Sequence, residues 1–178
     1  VYIFMFFVIF LAYSLISLLF SEFTIERLFT AQLKSAGISG FALAQDPLIS
    51  LILNNLLVFV VCFILSLVYG AGSLLFLTWN ASVWGVVFGF FAVQTSSFSG
   101  GNLFTEFIIS ILPFLPHMAT EATAYISASI VGGVVSKAVL REKLFSKKFH
   151  NIITDALIFL VIGFALVIMA GVIEVWLF

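Results

Sequence analysis

Long apolar runs separated by short polar gaps dominate the pattern along this chain. Several runs are about 20 residues long, the length of an α-helix that crosses the hydrocarbon core of a membrane. Strands of an outer-membrane barrel would instead alternate over about ten residues. The pattern therefore predicts an all-α fold, a polytopic transmembrane helical bundle in one integral membrane domain over residues 1–178. The predicted spans are approximately 1–20, 48–77, 81–98, 103–115, 117–140 and 156–178.

The second apolar run is unusually long. It continues from Pro47, which is well placed to open a helix, to Trp79. As one straight helix it would measure roughly 48 Å, more than one crossing needs. We therefore predict a break or a close-packing point at Gly70-Ala71-Gly72, and we expect the segment to end at Asn80.

The short apolar segment 103–115 ends at two prolines, Pro113 and Pro116. At about 18 Å of helix it is too short to cross a membrane alone. It is either a re-entrant half-helix, which gives five spans, or a short span whose turn lies below the membrane surface, which gives six. Such a turn is tolerated only where protein or a water-filled cavity surrounds it.

Residues 21–46 form the only long polar connection between the predicted spans. Its apolar and charged positions are interleaved, a mixture typical of a helix lying in the membrane interface. An ordinary solvated connecting helix is the alternative. The apolar positions are Phe23, Ile25, Leu28, Phe29 and Leu33, and the charged ones are Glu22, Glu26, Arg27 and Lys34.

Composition supports the membrane assignment. Hydrophobic residues make up 63% of the 178 and charged residues only 8%, far from the usual soluble mixture. The net charge of −1 and the lack of a large polar segment give no basis for nucleic-acid binding or a soluble catalytic domain. A single cysteine, Cys62, leaves no intrachain disulfide to form. The chain begins at Val1 inside an apolar run, which gives no basis for identifying a start signal.

Five of the seven basic residues lie in one segment, 137–148. The positive-inside rule assigns this basic loop to the cytoplasm and the protein to the cell membrane as a multi-pass protein. With six spans, both basic connections face the cytoplasm. With five spans, Arg27 and Lys34 face outward, so the charge distribution mildly favours six.

Small residues mark several predicted helix faces. Gly85 and Gly89 form a small-x-x-x-small pattern, and the fifth predicted span is rich in Gly, Ala and Ser. Such faces allow close helix approach, either within one bundle or between copies in a homo-oligomer. The glycines assigned to helix packing are Gly70, Gly72, Gly85, Gly89, Gly132 and Gly133.

A histidine and a carboxylate lie inside the apolar sequence, four residues apart. On a helix, His117 and Glu121 share one face. Removing such groups from water is costly unless they are paired, neutralised or hydrogen-bonded. The spacing therefore predicts a buried polar centre. Other candidates for this centre are Asn54, Asn55, Asn80 and Glu106.

Three interpretations of the centre remain open. It is a structural polar clamp, or a site for an ion, proton or polar ligand in which Glu121 and Glu106 supply carboxylates and His117 carries a proton. An enzyme centre is the third, but it would need further ligands or a nucleophile. The sequence has no H-E-x-x-H, and its other histidine, His150, lies just after the basic loop. No phosphate loop or nucleophile motif occurs either. We therefore expect no catalytic residues, no metal and no cofactor.

Two blocks of residues resemble the stage II sporulation protein M family of bacterial and archaeal membrane proteins. The first contains Asn54-Asn55, Gly70-x-Gly72 and Asn80, and the second contains Leu115-Pro116-His117-x-x-x-Glu121 and Gly132-Gly133. Together they cover roughly residues 52–136. The chain departs from the family pattern at Ala81 and Met118, where glycine usually stands.

The resemblance implies a multispanning helical protein. In endospore formers the named member works with cell-wall hydrolases during engulfment, as a membrane component and not as a hydrolase. Relatives in organisms that do not sporulate imply a more general membrane role. We therefore expect a non-enzymatic scaffold or partner-binding component whose partners are membrane lipids and other membrane or cell-envelope proteins. A small transporter or channel for an ion, proton or polar solute is the alternative, and an intramembrane hydrolase is the third.

Overall fold

The computed structural model describes residues 1–36 and 47–177, and within them the regular structure is entirely helical. Within these residues, four stretches are long and apolar enough to cross a membrane: Ile52–Tyr69, Leu74–Ser99, Leu103–Arg141 and Lys147–Ile173. The prediction of an all-α membrane protein is confirmed. The helices are α1 (Tyr2–Leu18), α2 (Glu22–Leu28), α3 (Thr30–Ser35), α4 (Pro47–Tyr69), α5 (Leu74–Ser99), α6 (Leu103–Ile111), a 3-10 turn (Leu112–Phe114), α7 (Leu115–Arg141) and α8 (Lys147–Leu177).

The chain forms two compact units, each made from two separate stretches. The first unit contains Val1–Ala44 and Thr78–Leu115, and the second contains Gln45–Leu77 and Pro116–Phe178. Helix α5 begins in the second unit and continues in the first. Of the predicted polar centre, the second unit therefore contains Asn54, Asn55, His117 and Glu121, and the first contains Asn80 and Glu106.

In the first unit, α1 and α5 lie side by side and run in the same direction. The ring of Phe6 packs on Trp84, and the ring of Phe10 packs on Phe88 one turn further along. A Cβ atom at Gly85 would lie 2.6 Å from the Phe10 carbonyl oxygen, so glycine is what permits this backbone approach. Gly89, one turn further along the same face, contacts Ser17.

The short helices α2 and α3 pack one side against α5. Ile25 and Leu33 are buried in a cluster with residues of α5, and the Gln94 side chain donates a hydrogen bond to Glu22 at 2.9 Å. Phe23 and Leu28 are exposed. The predicted location of this connection in the membrane interface stays a prediction, and residues 37–46 lie outside the described part.

The second unit is built from α4, α7 and α8. The Cys62 side chain lies beside that of Ser129, and a Cβ at Gly132 would lie 2.5 Å from the Phe63 carbonyl oxygen. Contacts that advance together along both helices show that α4 and α7 are parallel. Gly163 meets Phe59, whereas Gly171 meets Ile52, so α8 is antiparallel to α4.

The break in the second apolar run lies where the glycines predicted it. Helix α4 begins at Pro47 and ends at Tyr69, and Gly70 follows with a φ of +66°. A positive φ at the residue after a helix favours glycine. A Cβ at Gly70 would have open space around it, so backbone conformation and not packing explains this residue. The Ser66 and Ser73 hydroxyls, joined at 2.6 Å, close the turn.

Two helix boundaries differ from the predicted spans. Helix α5 begins at Leu74 and continues through Asn80, where we expected an end, because one asparagine costs a helix interior only a few tenths of a kcal/mol. Helix α8 begins at Lys147 and not near residue 156. The Ser146 hydroxyl accepts the Phe149 N–H at 3.1 Å and caps this helix. Hydropathy defines the apolar span, whereas capping defines the helix start.

The segment before the fifth predicted span is helical almost without interruption. The Asn102 side chain accepts the Phe104 N–H at 2.9 Å and caps α6. A single 3-10 turn then joins α6 to α7, which begins at Leu115, two residues before the predicted start. Pro116 occupies the first turn of α7, where its missing N–H is tolerated. The re-entrant arrangement stays a prediction.

Candidate functional site

Three side chains of α7 lie at four-residue intervals on one face of the helix near its start. They are His117, Glu121 and Tyr125, whose exposed fractions are 7%, 4% and 0%. Four-residue spacing brings successive side chains together on a helix. Because α8 runs antiparallel to α7, the carbonyl group of Ala170 reaches the same place. The second unit thus buries a histidine, a carboxylate and a phenol together.

The hydrogen bonds of this cluster are continuous. His117 Nε2 lies 3.2 Å from Glu121 Oε2, and His117 Nδ1 lies 3.0 Å from the Ala170 carbonyl oxygen. The Tyr125 hydroxyl donates a short hydrogen bond to Glu121 Oε1. Both ring nitrogens and both carboxyl oxygens therefore have partners inside the unit.

The carbonyl of Ala170 determines where the protons lie. A carbonyl oxygen only accepts hydrogen bonds, so His117 Nδ1 carries a hydrogen and donates it. One further proton then lies between Nε2 and Glu121 Oε2, because an unprotonated nitrogen facing an ionised carboxylate would be repelled. The pair is neutral overall whether the proton belongs to the imidazole or to the carboxyl group.

This pair can be buried within an apolar bundle because it is neutral overall. Isolated ionised groups at such a position cost several kcal/mol, and pairing with additional hydrogen bonds reduces that cost. The arrangement also links α7 to α8 through the bond from His117 to Ala170. Chemically, the cluster can hold one proton and join two helices.

The two adjacent asparagines of α4 have different environments. Asn54 is exposed and donates from Nδ2 to Asn55 Oδ1 at 3.4 Å. Asn55 is only 3% exposed, and its Nδ2 has no hydrogen-bond partner in the described part of the chain. Cys62 of α4 lies beside Ser129 of α7, and the two helices are parallel. Two turns earlier along each helix, Asn55 therefore lies at about the same level along the helix axis as Glu121.

The remaining two predicted members belong to the first unit. Asn80 lies within α5. Glu106 lies in the first turn of α6, where its Oε1 accepts a hydrogen bond from the Ser99 hydroxyl at 2.9 Å. A carboxylate near a helix N-terminus is stabilised by the free N–H groups there. The inclusion of Asn80 and Glu106 in one centre with His117 stays a prediction.

Metal ligands do not converge in the described ranges, 1–36 and 47–177. No group of three or more His, Cys, Asp or Glu side chains lies together there as a metal site would require. The expectation that the protein carries no metal and no cofactor stays a prediction.

Tyr125 and the Ala170 carbonyl are the members of the cluster that sequence reasoning did not include. Tyr125 follows Glu121 by four residues, so the same spacing that joined His117 to Glu121 was a usable signal. Nothing in the sequence marks the Ala170 carbonyl, since every residue has one and its role depends on the packing of α8 against α7.

Comparison with known proteins identifies the family of this chain. A search of curated proteins found no match to the chain, and neither did a search of solved structures. The sequence model of the family described as stage II sporulation protein M matches residues 1–177, almost the entire chain. This match agrees with the resemblance of the two residue blocks and with helices long enough to cross a membrane. The chain therefore belongs to the stage II sporulation protein M family.

Proposed function

We propose that the protein is a non-enzymatic component of the cell membrane that acts as a scaffold or binds partner proteins. In this proposal the cluster of His117, Glu121 and Tyr125 is a structural clamp that fixes α7 against α8. One observation carries it: every hydrogen-bonding atom of the His117 ring and of the Glu121 carboxyl group has a partner inside the second unit.

Because the His117 ring and the Glu121 carboxyl group make their hydrogen bonds within the second unit, the cluster fits a structural clamp better than a transport site. A transport site must exchange a proton or a ligand with water, which requires groups that water can reach. Here the carboxyl group is almost completely buried, and its two oxygens are held by residues of its own helix. Fully satisfied polar groups rigidify a buried contact and specify its geometry.

The proposal includes five membrane crossings, with the basic loop in the cytoplasm. Four are the crossings by α4, α5, α7 and α8, and the fifth is made by the shorter apolar helix α1. Because α4 and α7 are parallel, the chain leaves the second unit at one end and re-enters it at the other. The intervening residues must then cross once. Helix α5, at about 39 Å, is long enough to do so, whereas α6 is too short for a second crossing. Under this arrangement Arg27 and Lys34 face outward.

Glu121→Gln tests the clamp. We expect this variant to unfold at a markedly lower temperature in lipid nanodiscs, because an amide cannot share the proton of His117 as the carboxyl group does. Glu106→Gln is the matched control: Glu106 is partly exposed and has Ser99 as a side-chain partner in the turn before α6. We expect this control to unfold close to the wild-type temperature.

Vesicles containing the purified protein distinguish the clamp from a pathway. We expect no protein-dependent flux of protons, small ions or polar solutes through the wild type. A protein complex of fixed stoichiometry recovered by crosslinking in native membranes would support the scaffold role. Flux that Glu121→Gln abolishes while the variant stays folded would overturn the proposal in favour of transport.

A further inference from the structure

The turn between α7 and α8 exposes apolar and basic side chains together. We call this turn, residues 140–148, the basic wedge. Arg141 ends α7, Lys147 begins α8, and the connection between them is only five residues long. The exposed apolar members are Leu140, Leu144 and Phe145, and the basic members are Arg141, Lys143, Lys147 and Lys148.

Phe145 has a backbone conformation that its side chain disfavours. Its φ is +64°, in the left-handed region where glycine is the usual residue. Its side chain is 93% exposed, so the ring buries almost no surface in the described protein that would offset the strain. Residues with strained backbone conformations cluster at functional sites, so this exposed ring suggests a functional contact.

The basic side chains of the wedge are not explained by contacts within the protein either. In the described part of the chain, Lys148 pairs with Glu142 at 2.7 Å, whereas Arg141, Lys143 and Lys147 have no ion-pair partner. Lys147 and Lys148 also lie in the first turn of α8, where the helix dipole disfavours positive charge. Segment 137–148 holds five basic residues and one acidic residue, a net charge of +4.

We propose that the basic wedge docks onto the anionic phospholipid headgroups of the bilayer that the protein spans. Phe145 and Leu144 enter the interface between headgroups and acyl chains, where aromatic and aliphatic side chains are stabilised. The basic side chains that have no ion-pair partner bind lipid phosphates. Each Lys or Arg near an anionic surface increases the affinity for that surface about fivefold.

The position of the wedge in the chain supports a lipid partner over an acidic protein segment. The wedge follows the apolar α7 directly, so its residues lie within a few residues of the end of a membrane-spanning candidate. The wedge carries both apolar and basic side chains, as expected for a segment at a surface that is apolar on the bilayer side and anionic on the water side. An acidic peptide would satisfy the charges but would leave Phe145 and Leu144 exposed.

A nitroxide label at Leu144→Cys, in a Cys62→Ala background, tests the proposal. The protein is reconstituted in vesicles of phosphatidylcholine alone or of phosphatidylcholine mixed with phosphatidylglycerol. Both leaflets contain the same lipids, so the orientation of the protein does not affect the result. We expect the label to become accessible to oxygen and protected from a water-soluble relaxant when the anionic lipid is present. High salt should reverse this protection.

Two further variants separate charge from apolar partitioning. Lys143→Gln and Lys147→Gln should each lower the ratio of bilayer-inserted to water-exposed label about fivefold in the anionic vesicles. Phe145→Ser should lower the ratio in both lipid mixtures. Phe98 provides a matched control site, since it is 86% exposed and its neighbours are serines and a glycine and not basic residues.

A label at Phe98→Cys should give the same accessibility in both lipid mixtures. The proposal is overturned if the label at position 144 remains water-exposed in anionic vesicles, or if the control label responds to anionic lipid equally. It is also overturned if the two lysine variants leave the ratio unchanged. Protection by added polyglutamate, and not by anionic lipid, would identify an acidic protein partner instead.

Discussion

At the scale of single residues, one backbone carbonyl determines which atoms of the cluster carry protons. Ala170 accepts the hydrogen on His117 Nδ1, so Nε2 must face Glu121 with a shared proton. Tyr125 then donates to the other carboxyl oxygen. The cluster is neutral and its hydrogen bonds are closed, which explains how three polar side chains are buried in an apolar helix contact.

A double-mutant cycle on His117 and Glu121 measures their coupling. His117→Leu or Glu121→Leu alone leaves a buried partner unpaired, and we expect each to lower the free energy of unfolding by about 3 kcal/mol. The double variant replaces both partners by apolar side chains, so its loss should be smaller than the sum by about 1–3 kcal/mol. Unfolding in mixed micelles provides the measurement.

Tyr125→Phe is the milder comparison. It removes one hydrogen-bond donor and should lower the free energy of unfolding by about 1 kcal/mol. Its destabilisation gives the scale for a single hydrogen bond in the same cluster. Additive losses for His117 and Glu121 would show that the two side chains do not interact and would contradict the shared proton.

Part of this site could be predicted from local spacing. The four-residue interval joins His117 to Glu121 on any helix, and it holds here. The two asparagines show the limit of such reasoning, because Asn54 is exposed and Asn55 is buried. Adjacent residues on a helix point in directions about 100° apart, so which one is buried depends on where the neighbouring helices lie.

At the scale of helices, glycine decides how closely two backbones approach. Gly132 and Gly133 are adjacent in α7, but only the first lies against α4. A Cβ atom at Gly132 would be 2.5 Å from the Phe63 carbonyl oxygen and 3.0 Å from the Leu67 nitrogen. At Gly133 the nearest atom, the Gly70 carbonyl oxygen, would be 3.7 Å away, an ordinary contact.

This difference predicts opposite effects for the same substitution. Gly132→Ala should lower the free energy of unfolding by about 1–3 kcal/mol, because the backbone of α4 must move. Gly133→Ala should be neutral or stabilise the protein by up to about 1 kcal/mol, since alanine is the better helix former. Thermal unfolding of both variants in nanodiscs checks the pair. Equal effects would contradict the contact between α4 and α7.

Helix ends were harder to predict than helix existence. The glycines marked the end of α4 correctly, because Gly70 has a positive φ that the residue type permits. Helix α8 begins nine residues before the predicted span, since the polar residues from Lys147 onward are not typical of a membrane-spanning segment. A capping hydroxyl from Ser146, and not hydropathy, determines where that helix begins.

At the scale of the whole molecule, the parallel arrangement of α4 and α7 bears on the number of crossings. The distribution of basic residues mildly favoured six crossings, whereas the chain direction in the second unit supports five. Five crossings place the turn at Ala71 and the basic wedge on the same side of the membrane. Six crossings would place them on opposite sides.

Cysteine labelling decides between the two arrangements. Single cysteines at Ala71 and Leu144, in a Cys62→Ala background, should react with an impermeant maleimide from the same side of oriented membranes. A cysteine at Ser97 should react from the other side. All three positions are exposed in the structure. Reaction of the first two from opposite sides would establish six crossings.

The sequence by itself determined the class of the protein, because apolar length and small-residue faces depend on the membrane and on local helix geometry. It determined the pairing of His117 with Glu121 for the same local reason. Only the tertiary structure decided that the Ala170 carbonyl completes the cluster and that Asn55 is buried while Asn54 is not. These depend on which helix faces meet and in which direction the helices run, and residues distant in the sequence set both.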